Sequence, residues 1–140
     1  MTPEQIELVR RSWSQLDAHR EDTARLLYGR LFELDPGLQA LFGNDLQAQG
    51  TKLMATLNVV VTHIDHLVPL LPPLRQLAIR HLDWQVRPEH YDLLGRALLD
   101  TLSNGLGDTF GPDCRDAWGA AYAELAEAMK AAAYPGDQGG

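Results

Sequence analysis

The sequence predicts an all-α chain, and three observations carry that reading. Apolar residues recur at three- and four-residue steps in each long segment, which is the helical period. The eight prolines punctuate those segments, because proline is tolerated in a first helical turn and breaks a helix interior. No stretch makes a convincing strand.

The elements follow in chain order. Thr2-Pro3-Glu4-Gln5 has capping-box form, with a hydroxyl that can accept from the backbone three residues on and a Gln that can reach back. From there Ile6, Val9, Trp13 and Leu16 make one apolar stripe beside the charges of Glu7, Arg10 and Arg11. A second helix from about Glu21 carries Leu27, Leu31 and Leu34. It stops at Asp35-Pro36, since the residue before a proline is pushed out of helical geometry. A short turn or single helical turn then ends at Leu41-Phe42, and Gly43-Asn44 signals a loop.

The next run is the clearest. Leu53, Leu57, Val60, Ile64 and Leu67 share one face, and Gln49 lies four residues before Leu53 on that face. Val59-Val60-Val61 suits a strand, but the flanking period is helical and the run is too long for one. Pro69, Pro72 and Pro73 interrupt, and a short helix carries Leu74, Leu77, Ala78 and His81. After Arg87-Pro88 a helix runs through Tyr91, Leu94, Leu98 and Leu102, closed by the cluster Gly105, Gly107 and Gly111. Pro112 opens the last helix, with Trp118, Tyr122, Leu125 and Met129 as its stripe, and Pro135-Gly136 ends it. The expectation is about seven helices of unequal length crossing at steep angles, which argues against a regular four-helix bundle or a coiled coil. One domain is expected over residues 1–135, with a flexible tail over 136–140.

Composition narrows the partners. Twelve Lys and Arg against nineteen Asp and Glu give a net charge of −7, the wrong sign for nucleic-acid phosphates or an anionic membrane. No nucleic-acid or membrane partner is expected. One cysteine, Cys114, cannot form an internal disulfide and suits a reducing compartment. No window has the eighteen or so apolar residues of a membrane span, and Met1-Thr2-Pro3 leads into charged sequence without a signal peptide. A cytoplasmic location is expected.

Two polar residues stand out because each continues a core-facing stripe: Gln49 and His81. A buried polar group costs free energy unless it is paired. Either each is satisfied within the core, His81 by a backbone carbonyl, or both face a ligand held between their helices, with the imidazole on a metal. Spacing alone leaves both readings open.

Taken together the residues resemble a globin, the single-domain bacterial kind related to the globin half of flavohaemoglobins. The resemblance covers nearly the whole chain. It rests on Leu27-Tyr28 before Leu31-Phe32, the Asp35-Pro36 corner, Leu41-Phe42, Gln49 followed by Lys52-Leu53, Ile79-Arg80-His81 followed by His90-Tyr91, and Asp116-Ala117-Trp118-Gly119 before Tyr122. It implies a globin fold packed around haem b, with His81 as the one protein bond to iron. The other histidines do not match that position. His90 lies just before the following helix, His19 sits away from the pocket, and His63 and His66, which flank Asp65, read as a solvated helix end. Phe42 matches the aromatic that packs against haem, Leu53 the apolar wall over the iron, and Lys52 and Arg80 the cations at the propionates, although both also read as solvated charges. Tyr28 and Gln49 match the distal pair, hydroxyl and amide donors that favour dioxygen because it gains partial negative charge when bound.

The family pattern is broken in one place. Such globins usually set a Tyr and a Glu behind the proximal imidazole. Tyr91 matches the Tyr, but the acid position falls near Ala133, where no acid stands. The expectation is that the ring N–H of His81 donates instead to the carbonyl of Leu77, and the missing carboxylate also argues against a peroxidase. Cys114, at the start of the last helix, reads as a partly buried structural thiol. What the resemblance implies is reversible binding of dioxygen and other diatomic gases such as nitric oxide and carbon monoxide, for storage, delivery or buffering. The alternative is an enzyme, a nitric oxide dioxygenase forming nitrate. At this length an external reductase is expected to supply its electrons. A haem-free interaction module is a third reading, opposed by His81, Phe42 and Gln49, and a sensor would need an output domain.

Overall fold

Helix ends fall where caps, prolines and one left-handed glycine put them. The structure is a computed structural model that describes residues 1–42, 45–83 and 86–134. Helix α1, Pro3–Asp17, begins with the capping box: Thr2 Oγ1 accepts from the Gln5 N–H at 3.1 Å and Gln5 Oε1 accepts from the Thr2 N–H at 3.0 Å. Helix α2, Arg20–Leu34, stops at the extended Asp35. The segment Pro36–Phe42 is a 3-10 helix. Asp45 accepts from the Ala48 N–H at 3.1 Å to start α3, Leu46–Thr62, whose valine triplet is helical.

A 3-10 turn, Val68–Leu70, leads into α4, Leu71–Asp83. Pro72 and Pro73 thus lie inside α4, not before it, because the first-turn N–H groups have no intrahelical acceptor to lose. Helix α5, Pro88–Leu106, includes Gly105 and is closed by Gly107 at φ 58°, a conformation that favours glycine. After a 3-10 turn at Gly107–Thr109 comes α6, Pro112–Ala133. The about seven helices expected resolve, among the described residues, into six α-helices and the long 3-10 helix, besides two short 3-10 turns. Among those residues no strand occurs. The Gly43-Asn44 loop, the Pro135-Gly136 stop and the tail lie outside the described residues.

Packing is between helices distant in sequence. α1 lies against α6 and α3, α2 against α5 and α3, and α4 against α6. Trp13 and Trp118 meet at 6.1 Å in the core, and each ring N–H is satisfied, as buried donors must be. Trp118 donates to Ser12 Oγ at 2.7 Å and Trp13 to Asn58 Oδ1 at 2.9 Å. Arg30 on α2 pairs with Asp100 on α5 at 2.8 Å. Cys114 is buried. Among the described residues no helix is long and apolar enough to cross a membrane.

Two glycines mark close crossings around the site. A methyl at Gly50 would stand 3.1 Å from Ala24 Cβ and 3.4 Å from Tyr28 Cε2, so α3 lies directly on α2 there. A methyl at Gly95 would stand 2.6 Å from Cε2 of Tyr122, so that ring lies on the backbone of α5.

Candidate functional site

The α2–α3 crossing at Gly50 builds the first half of the site. Tyr28, buried on α2, stacks on Phe32 at 6.0 Å with its ring nearly parallel, and Phe42 tilts against both rings at 5.2 and 5.5 Å. Burial pushes the Tyr28 phenol up to about 12. It therefore stays protonated at neutral pH, as a donor. Gln49, half-buried on α3, donates one amide N–H to the carbonyl of Phe42. The sequence leaves open an amide aimed at a bound ligand or satisfied within the core; here one of its two N–H bonds holds the corner backbone. Tyr28, Phe42 and Gln49 are thus brought together. Leu53, one turn beyond Gln49, is half-buried, and Lys52 is exposed.

The last turn of α4 builds the second half. Nδ1 of His81 lies 2.6 Å from the carbonyl of Leu77, the bond expected in place of a carboxylate partner. A carbonyl only accepts, so Nδ1 carries the proton and Nε2 the lone pair, the tautomer a metal requires. Burial lowers the His81 pKa, the Leu77 bond opposes that, and the charge of Arg80 lowers it further. The imidazole is neutral at pH 7. Tyr91, on α5, sets its ring 6.4 Å from that of His81. Its hydroxyl is buried and among the described residues has no hydrogen-bond partner; burial first, and Tyr134 second, push it up to about 12. Ala133, near which the sequence resemblance puts the missing acid, is half-buried, and Arg80 is exposed.

The two halves are held apart. α3 is carried by α1 and α2 and α4 by α6, and among the described residues α3 and α4 share no more than marginal contact. An open cleft of about 530 Å³ lies between the 3-10 helix and the start of α5, lined by Asp35, Gly37, Leu38, Leu41, Val86, Arg87 and His90. It borders the Phe42 corner and the segment after His81 but is lined by none of the eight residues singled out from the sequence.

The remaining histidines have other partners or surroundings. His90 does not precede the helix: it lies in the first turn of α5, buried, where its Nδ1 accepts from the Arg87 N–H at 3.0 Å. A buried capping role explains its place. His63 donates Nδ1 to the carbonyl of Val59 at 3.0 Å, and His19 and His66 are exposed.

A haem held by histidine requires a neutral imidazole with its lone pair outward, and apolar walls. The residues fit on both counts: His81 has the required tautomer, and Phe42, Leu53, Leu77 and Leu94 are half-buried apolar side chains packed at the edge of the core. Two hydroxyls were not marked as functional by sequence reasoning. Tyr122 donates to the carbonyl of Tyr91 at 2.6 Å and Tyr134 donates to the carbonyl of Val86. Tyr122 sits mid-helix on the α6 stripe, where it reads as core; for Tyr134, which directly precedes Pro135, an aromatic hydroxyl at a helix end was the available signal.

Comparison with known proteins identifies a family for the chain. The family model described as Globin matches residues 25–129. The chain is 36% identical over 132 residues to a flavohemoprotein of Deinococcus radiodurans, covering 92% of this chain and 33% of that protein. It is 32% identical to a flavohemoprotein of Bacillus subtilis, covering 89% and 32%, and 34% identical to one of Bordetella parapertussis, covering 92% and 33%. The chain spans about a third of the length of these curated relatives. With the match over residues 25–129 and the helical order described above, the chain belongs to the globin family.

Proposed function

We propose that this chain holds haem b through Nε2 of His81 and binds dioxygen reversibly, with nitric oxide and carbon monoxide as further ligands. Globin membership and likeness to flavohemoproteins support haem and diatomic gases as the ligand classes. The observation that carries the reading is the pairing of donors with a prepared imidazole: Tyr28 and Gln49 converge on Phe42, while Leu77 fixes the proton of His81 on Nδ1. Haem, when bound, supplies an iron site for a diatomic gas. The chain does the rest. Phe42 and Leu53 exclude water, Tyr28 and Gln49 donate hydrogen bonds to a ligand that gains negative charge, and Lys52 and Arg80 offer cations to propionates.

Hydrogen bonds to a charged partner contribute about 1.5–3 kcal/mol, or roughly 10- to 100-fold in a dissociation rate. Tyr28→Phe and Gln49→Leu should therefore speed dioxygen release by about that factor and carbon monoxide release far less. Equal effects on both gases would show that neither residue is a distal donor.

The same donors and the flavohemoprotein likeness support a second reading, nitric oxide dioxygenation. Nitric oxide, dioxygen and one electron give nitrate, and a separate reductase would supply that electron. Stoichiometric loss of the dioxygen-loaded form on adding nitric oxide is the expected result; a loaded form that survives nitric oxide leaves gas storage, delivery or buffering, in the cytoplasm, as the role.

A further inference from the structure

The cleft between the 3-10 helix and the start of α5 holds charges of both signs that do not meet. Asp35 lies on one side, Arg87 and His90 on the other, and Leu38, Leu41 and Val86 supply apolar wall. Its volume of about 530 Å³ suits a small molecule. Asp35 Oδ1 accepts from the Gly37 N–H at 3.1 Å, and Arg87 Nε lies 3.4 Å from Glu89 Oε1. Among the described residues Asp35 and Arg87 form no ion pair with each other. The Arg87 and Glu89 side chains are both exposed, and such a pair contributes little, so the guanidinium is open to a better acceptor.

His90 adds a donor. Its ring is 9% exposed, and Nδ1 accepts from the Arg87 N–H at 3.0 Å. The ring proton is therefore on Nε2. Among the described residues Nε2 has no hydrogen-bond partner, yet it is not sealed from solvent as the Tyr91 hydroxyl is. Its opening is to the cleft that the ring lines. A largely buried donor without a partner costs free energy that a ligand's acceptor would recover.

We propose that this cleft binds a small zwitterion, a free amino acid with an apolar side chain. Its carboxylate bonds to His90 Nε2–H and Arg87, its ammonium to Asp35, and its side chain lies on Leu38, Leu41 and Val86. Charge decides the class. A simple carboxylate would meet the like charge of Asp35 and a simple amine that of Arg87, whereas a molecule carrying both groups satisfies each. The site goes beyond the haem reading and does not depend on it.

The test is calorimetric titration of the haem-loaded chain with L-leucine, with isocaproate, which lacks the ammonium, and with isoamylamine, which lacks the carboxylate. Leucine should bind about tenfold or more tightly than either analogue, the effect of one charged hydrogen bond. It should also shift the Nε2 resonance of His90. Arg87→Gln should weaken leucine about tenfold. Asp35→Asn, whose side-chain oxygen can keep the bond to Gly37, should weaken leucine and strengthen isocaproate. Arg25→Gln, at an exposed position on α2, should change nothing. Equal binding of the three compounds, or no heat and no His90 shift at millimolar leucine, overturns the inference. So does leucine binding that survives Arg87→Gln or Asp35→Asn, or that falls equally in Arg25→Gln. If the chain takes up no haem, the functional reading fails instead, and the same titration of the haem-free chain decides the cleft.

Discussion

A methyl group on Gly95 tests the crossing that places Tyr91 behind His81. The new carbon in Gly95→Ala would stand 2.6 Å from Cε2 and 2.8 Å from Cδ2 of Tyr122, whereas carbons settle at about 3.5–4 Å. The ring must retreat by about 1 Å. It cannot do so freely, because its hydroxyl is bonded to the Tyr91 carbonyl at 2.6 Å. Overpacking costs about 1–3 kcal/mol and the lost hydrogen bond about 1 kcal/mol, while alanine in a helix interior regains about 1 kcal/mol over glycine. The net is a loss of about 1–3 kcal/mol, or about 4–12 °C in melting temperature for a chain of this size. The assay is urea unfolding at constant m, with Tyr122→Phe and the double variant completing a cycle. Gly95→Ala should cost less in the Tyr122→Phe background, where no hydrogen bond remains to be broken. A variant as stable as the parent, or costs that simply add, would refute the reasoning.

Two further outcomes are expected. Tyr91→Phe removes a buried hydroxyl that among the described residues has no partner, so stability should hold or rise by about 1 kcal/mol; a urea-measured loss above about 2 kcal/mol would reveal a partner. The pKa of His81 is lowered on folding, so as pH falls below about 6.5 the unfolded chain takes up the proton first and stability drops, while the contribution is complete above that value. The haem-free parent should therefore lose more stability between about pH 7.5 and pH 5.5 than His81→Gln does, and equal losses in urea midpoint would contradict the burial of this imidazole.

The helices were legible because their ends are local chemistry. Thr2 with Gln5, Pro36 and Pro112 decide ends by capping or by the missing N–H, and those ends were found where expected. Pro72 and Pro73 misled as breakers because a first turn and an interruption look alike in sequence. Gln49 and His81 were visible as polar breaks in apolar stripes, and the missing acid near Ala133 pointed to the Leu77 carbonyl. Pairings across the fold were not visible. Nothing local to Arg30 names Asp100, and nothing local to Tyr134 names Val86, 48 residues away. The Gln49 bond to Phe42 was likewise hidden, since it depends on how the 3-10 helix meets α3.

The central claim is that His81 is the iron ligand of a haem protein. Its most direct test is the absorption spectrum of the ferrous protein after stoichiometric haem supply, recorded for the parent and for His81→Ala. The parent should show a Soret band of histidine-ligated haem, and His81→Ala should lose it. A parent without the band, or a His81→Ala variant that keeps the parental spectrum, would contradict the claim.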